Sequence, residues 1–249
     1  MVNAKAYGQH TCSSVQLSKP THPPHPPHNS SQVLRRDITE GEAGIPLELE
    51  NGIINVNTYE PVPDALISIW HCNATGIHSS LEYSPNTPFE TLLKGLGVTN
   101  TTGYDNFAFL ANGNSTFLRE MWPTDSQGVT GFKSIVPGFY VDRSIHIHAQ
   151  VYTDWNVTIN GALDAGTVIE TGQIFIPEVL SEGIMPLEPY VSHTEIERLR
   201  NSNDSLYNQV LQSGADSTVD YEPLDGEDVR NGVFGLEDES TLYKLDEIG

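Results

Sequence analysis

The sequence predicts an all-β fold, a sandwich or barrel of short strands joined by long loops. Three observations carry this expectation. Apolar and polar residues alternate in several short segments, the period of a half-buried strand. These segments recur about every 10 to 15 residues, separated by clusters of Pro, Gly, Asn and Asp that favour turns. Only one stretch, from Glu195 to Gln212, reads as a helix.

The chain divides into three parts. Residues 1–30 form a Pro- and His-rich tether. In THPPHPPHNSS, His22, His25 and His28 recur at the three-residue period of polyproline II, which lines the imidazoles along one edge of a solvated linker. Residues 31–180 carry the strands. LELENGIINVN, residues 47–57, alternates and turns at Asn51-Gly52. Pro61 and Pro63 precede ALISIWHC, a second strand ending at Cys72. Ser79 to Gly113 is rich in Pro, Thr, Asn and Gly and reads as a long loop. Further strands follow at STFLREMW, GVTGFKSIV, RSIHIHAQVYT and TGQIFIPEV. Residues 181–249 form an acidic extension. From Glu178 onward only Arg198, Arg200, Arg230 and Lys244 oppose the Asp and Glu, the composition of a solvated tail.

Composition narrows the function. The 249 residues suffice for one substantial domain with flanking segments. A net charge of −21 with 12 basic residues argues against nucleic acid or an anionic membrane as partner. No apolar run is long enough to span a bilayer. The opening residues MVNAKAYGQH lack the apolar core of a signal peptide. Six N-glycosylation sequons, at Asn29, Asn73, Asn100, Asn114, Asn156 and Asn203, exceed the two or three expected by chance. The expectation is a secreted, N-glycosylated chain whose signal has been removed. Cys12 and Cys72 would form one disulfide in that compartment. Nothing in the sequence fixes the oligomeric state, and a homodimer stays open.

The chemistry concentrates in PGFYVDRSIHIHAQVYT, residues 137–153. His146 and His148 are two apart on an expected strand, so both imidazoles project from one face. Tyr140 follows a Pro-Gly turn that can return its phenol over that face. Two imidazoles and a phenolate suit a first-row transition metal, and a phenolate suits Fe(III) in particular. Arg143, between them, can hold an anionic substrate or lower the Tyr140 pKa. His71 points away from Trp70 on its strand, towards a polar network.

Taken in order, LRRDITEGEAGIPLELE, NVNTYEPVPDALISIWHCNATG, TFLREMWPTDSQGVTGFKSIVPGFYVDRSIHIH and GQIFI resemble the core of the intradiol ring-cleavage dioxygenase family. The WHCNATG and PTD-x-x-G blocks are most similar to its extracellular fungal branch. The resemblance covers roughly residues 31–180. It implies a β-sandwich holding a non-haem Fe(III) between two tyrosines and two histidines. Tyr140 matches the tyrosine that leaves the metal when catechol binds, and His146 and His148 match the histidine ligands. Arg143 matches the arginine that steadies the activated substrate, and Gln173 resembles a glutamine behind the ligands.

One position departs from the family. Its first tyrosine ligand lies eight residues after the tryptophan of the IWHC-type strand, where this chain has His78. The expected ligand set is therefore His78, Tyr140, His146 and His148. Exchanging a phenolate for a neutral imidazole leaves one more positive charge on the metal, which shifts the balance towards Fe(II), Zn or Cu; Fe(III) is the expected cofactor, with those three as alternatives. Tyr83, five residues on, is a substitute if the loop is rearranged. Tyr59 stands where the fungal branch often has a cysteine, which leaves Cys72 to pair with Cys12. Three functions follow from the resemblance. The first is metal-dependent opening of a catechol-type aromatic ring by O2. The second is a divergent enzyme that uses the pocket for cyclisation, isomerisation or addition on a polyketide or terpenoid in fungal secondary metabolism. The third is a non-catalytic secreted binding protein.

Overall fold

The computed structural model describes residues 34–55, 57–81, 86–95, 97–98 and 113–237. Eight strands build its two main sheets: β1 (Pro46–Gly52), β2 (Leu66–Trp70), β3 (Arg119–Pro123), β4 (Val129–Ile135), β5 (His146–Thr153), β6 (Thr167–Phe175), β7 (Asp220–Pro223) and β8 (Val233–Glu237). The first sheet has the order β7-β8-β1-β4 and the second β6-β5-β2-β3. Pairing is antiparallel throughout except between β1 and β8.

Alternation decides which face of each strand meets the other sheet. Leu47 and Leu49 of β1, Phe132 of β4 and Val233 of β8 turn inward from the first sheet. Ile67, Ile69, Ile147, Ala149, Val151 and Ile174 meet them from the second, in one continuous core. The result is a sandwich of one mixed and one antiparallel sheet packed around this core. β5 is buried on both faces. Its outer face carries His146, His148, Gln150 and Tyr152, so polar side chains lie under cover and need partners.

Two segments differ from the sequence reading. The loop expected from Ser79 to Gly113 contains a short helix, α1 (Phe89–Gly95), in its described part. The helix expected from Glu195 starts later, as α3 (Ser205–Gln212), because Asp204 caps it by accepting from the Leu206 and Tyr207 backbone N–H groups. Residues 195–200 are instead extended and loop-like, with Arg198 paired to Glu178. A further helix, α2 (Glu178–Ile184), follows β6 directly.

The folded unit does not stop near residue 180. β8 lies against β1 in the first sheet. The buried Tyr190 hydroxyl accepts from the Ile45 N–H at 3.0 Å and donates to the Val136 carbonyl at 2.7 Å. Tyr190 thus ties the strap after α2 to the ends of two core strands.

Cys72 is buried, and burial pushes its thiol up to about 12. Its expected partner Cys12 lies outside the described residues, as do Tyr83 and the His22, His25 and His28 tract. Of the sequons, Asn114, Asn156 and Asn203 are exposed, whereas the Asn73 amide donates to Glu42 at 3.0 Å. Asn29 and Asn100 lie outside the described residues.

His71 sits in the polar network expected of it. Its Nδ1 lies 2.8 Å from the Cys72 carbonyl, so Nδ1 carries the proton, and its Nε2 lies 2.7 Å from the Ser134 hydroxyl. Burial lowers its pKa to about 4. The unfolded chain takes that proton near pH 6.5, so between pH 6.5 and 4 the unfolded state binds more protons and stability falls as pH falls. The loss from this ring approaches roughly 3 kcal/mol at pH 4. Urea denaturation of wild type and His71→Asn at pH 7.5 and 4.5 should show a steeper acid loss in the wild type. Parallel losses would remove His71 as the cause.

Candidate metal centre

The second sheet places the expected site residues on its outer face. In register, Gln173 of β6 lies opposite His148 of β5, His148 opposite Trp70 of β2, and Trp70 opposite Arg119 of β3. The Trp70 ring stacks on His148 with centroids 4.9 Å apart and planes 5° apart, which fixes the plane of that imidazole. His146 lies one step along the same face. Both histidines are buried.

Tyr140 reaches this face from the connection between β4 and β5. Its approach depends on Gly138, where a Cβ would sit 2.4 Å from the Ala74 carbonyl oxygen. No other residue lets the two backbones come this close. A tight turn follows, with Asp142 at φ 63° and the Arg143 N–H donating to the Tyr140 carbonyl at 3.3 Å. Aspartate tolerates this left-handed conformation better than most side chains.

Three donor atoms converge. Tyr140 Oη lies 3.0 Å from His146 Nε2, and His148 Nε2 lies 3.2 Å from it. His146 Nδ1 lies 2.7 Å from the Ser144 carbonyl, which can only accept. In the neutral ring the proton is therefore on Nδ1, and the Nε2 lone pair faces the centre. Ligands held at about 2.0 to 2.2 Å from one cation stand about 2.8 to 3.6 Å from each other, so these spacings fit a shared ion. Among the described residues no group of three or more His, Cys, Asp or Glu is arranged to hold a metal. A centre here therefore depends on the phenol of Tyr140 as a donor.

His78 completes the surroundings. Its ring centroid is 5.2 Å from Tyr140 and 6.1 Å from His148, at the edge of the trio. It sits on a tight turn in which the Leu81 N–H donates to the His78 carbonyl at 3.2 Å.

Electrostatics favour the protonated phenol. Burial pushes the Tyr140 pKa up, and the nearby Arg143 guanidinium opposes that shift. Arg143 itself is anchored at two points. Its Nε donates to Asp204 Oδ2 at 2.9 Å and its Nη2 to Gln173 Oε1 at 2.5 Å. That second bond orients the Gln173 amide, whose Nε2 lies 3.3 Å from His148 Nδ1. Tyr140, Arg143, His146, His148 and Gln173 thus come together, whereas His78, expected as a fourth ligand, stands at the edge and forms no three-histidine group with His146 and His148. Asp204 was not among the residues the sequence pointed to. Its only local signal is an Asn/Asp-rich run before an amphipathic stretch, which announces a helix cap and not a partner for Arg143.

Neither a protein-family model nor a curated protein sequence matches the chain. Solved structures do. An intradiol ring-cleavage dioxygenase from Tetranychus urticae superposes with a TM-score of 0.64 at 23% identity, covering 82% of this chain and 84% of that one. A second dioxygenase structure gives 0.62 at 23% identity, with 82% and 83% covered. The dioxygenase domain of a carbohydrate-binding fusion from the bacterium Streptomyces sp. SirexAA-E gives 0.51 at 16% identity, with 95% and 99% covered. The outward-facing donors therefore stand on a known framework: this chain has the β-sandwich fold of the intradiol ring-cleavage dioxygenases.

Proposed function

We propose that this protein is a metal-dependent oxidoreductase that opens catechol-type aromatic rings with O2. The convergence of Tyr140 Oη, His146 Nε2 and His148 Nε2 within 3.2 Å carries the proposal. Those three side chains, with His78 beside them, would hold the cation, and iron is the metal this fold suggests. The bound iron would supply a Lewis-acidic, redox-active centre for catecholate and O2.

The chain's own groups have distinct tasks. Tyr140 Oη and His148 Nε2 both face His146 Nε2, at 3.0 and 3.2 Å, so a cation held by the three would take the place of the hydrogen bonds between them. Arg143, fixed by Asp204 and Gln173, adds a positive charge where substrate oxygen becomes negative. The Trp70 stack keeps His148 from turning away.

A second reading rests on His78. With an imidazole beside Tyr140 the centre carries one negative charge fewer than two phenolates would give. That difference favours a divalent metal and a non-cleavage reaction such as cyclisation, isomerisation or addition. The decisive measurement is O2 uptake by iron-loaded protein against catechol, 4-methylcatechol, hydroxyquinol and protocatechuate. Ring cleavage predicts stoichiometric O2 consumption with loss of the aromatic absorbance. No uptake with any of the four would favour the second reading.

A further inference from the structure

We infer that Asp204, from the acidic C-terminal region, is a positioning residue for the metal centre, organising Arg143 and the ligand His146 through a single carboxylate oxygen. The inference rests on the metal-centre reading above. Asp204 is fully buried, and its two oxygens have separate tasks. Oδ1 caps α3, accepting from Leu206 N at 2.9 Å and Tyr207 N at 3.2 Å. Oδ2 faces the site. It accepts from Arg143 Nε at 2.9 Å, from Ser144 N at 2.9 Å and from the Ser144 hydroxyl at 3.1 Å.

Those bonds hold two things at once. The first is the guanidinium, whose Nη2 orients Gln173 and through it His148. The second is the Ser144 backbone, whose carbonyl accepts from the His146 Nδ1–H and so leaves the Nε2 lone pair facing the centre. A buried carboxylate costs free energy unless it is paired and fully hydrogen-bonded, and Asp204 meets both conditions. The same region makes a second contact: Tyr207 of α3 packs edge-on against Phe175 at 5.1 Å, and Phe175 lies 5.7 Å from His146. The helix cap thus shares a carboxylate with the site, which ties the ordering of residues 201–212 to the geometry of the ligands.

The test uses Asp204→Ser, because a serine hydroxyl still caps a helix while Oδ2 is lost. Asp204→Asn serves as a second variant should the first fail to fold. Long-range 15N NMR of the metal-free protein reads the His146 tautomer. The wild type should show the proton on Nδ1 only, and the variants a mixture. Co(II) affinity, measured by competition with a chromophoric chelator, should fall about 10- to 100-fold, the usual cost of losing a partner behind a ligand. Asn208→Ala is the control. It removes bonds to the Ser202 and Asp204 carbonyls in the same turn and leaves Oδ2 untouched. An unchanged tautomer in the Asp204 variants would overturn the inference, as would an equal Co(II) loss in Asn208→Ala. If the wild type shows no Co(II) binding, the tautomer alone decides. If the Asp204 variants show these effects while the wild type never consumes O2, ring cleavage is refuted and the positioning role stands.

Discussion

Replacing His146 with alanine is expected to remove metal loading and O2 consumption together, the largest effect of any single substitution in this protein. Both other donors are defined by their distance to His146 Nε2, 3.0 Å for Tyr140 and 3.2 Å for His148. Without that imidazole the remaining phenol and imidazole no longer surround a common point. The loss of affinity should exceed the 10- to 100-fold that an outer partner costs, because a ligand itself is gone. Stability should fall as well, by about 1 to 3 kcal/mol, since the ring is buried against Phe175 and leaves a void. Elemental analysis and an oxygen electrode on the same preparation check the result, with His71→Asn as the comparison. That buried histidine lies in the Ser134 network outside the trio, and its variant should load metal normally. A His146→Ala protein that keeps one metal per chain and its rate would remove His146 from the site.

Much of this was legible in the sequence, for identifiable reasons. Alternation in LELENG marked Leu47 and Leu49 as one buried face, and both are core residues of β1. The two-residue spacing of His146 and His148 required one shared face of a strand, and the Pro-Gly turn before Tyr140 gave a return path. What sequence could not show was partnership across distance. Asp204 and Arg143 are 61 residues apart, and only the fold joins them. Charge composition also misdirected. The acidic region after residue 180 reads as solvated, yet the few apolar and capping residues within it decide its structure. Val233 and Tyr190 are buried in the core, and β8 pairs with β1. A mean charge over many residues hides such positions. The helix start was misplaced for a related reason: Arg198 and Arg200 form ion pairs with Glu178 and Glu182 in an extended strap, and Asp204 sets the cap.

His78→Tyr is expected to shift the centre towards ferric iron and give the protein a strong visible band. The His78 ring stands 5.2 Å from Tyr140 and 6.1 Å from His148, so a phenol at this position starts from the edge of the same donor cluster. The residue is only half-buried, and a change of stability within about 1 kcal/mol is expected. The electrostatic change is larger. A second phenolate adds one negative charge to the donors, and ferric iron gains more from it than Fe(II), Zn or Cu. Iron-loaded His78→Tyr should therefore absorb in the visible through phenolate-to-iron charge transfer more strongly than wild type. Added catechol should move that band as it chelates. If O2 uptake with catechol also rises by about tenfold or more, corresponding to at least roughly 1.4 kcal/mol of barrier, His78 alone limits ring cleavage in the wild type. If the variant binds iron and colours but consumes no O2, the pocket around the metal selects against catechols, and the fold serves a different reaction. If it neither colours nor holds iron more tightly, His78 does not occupy a ligand position, and the centre consists of Tyr140, His146 and His148 with an open side.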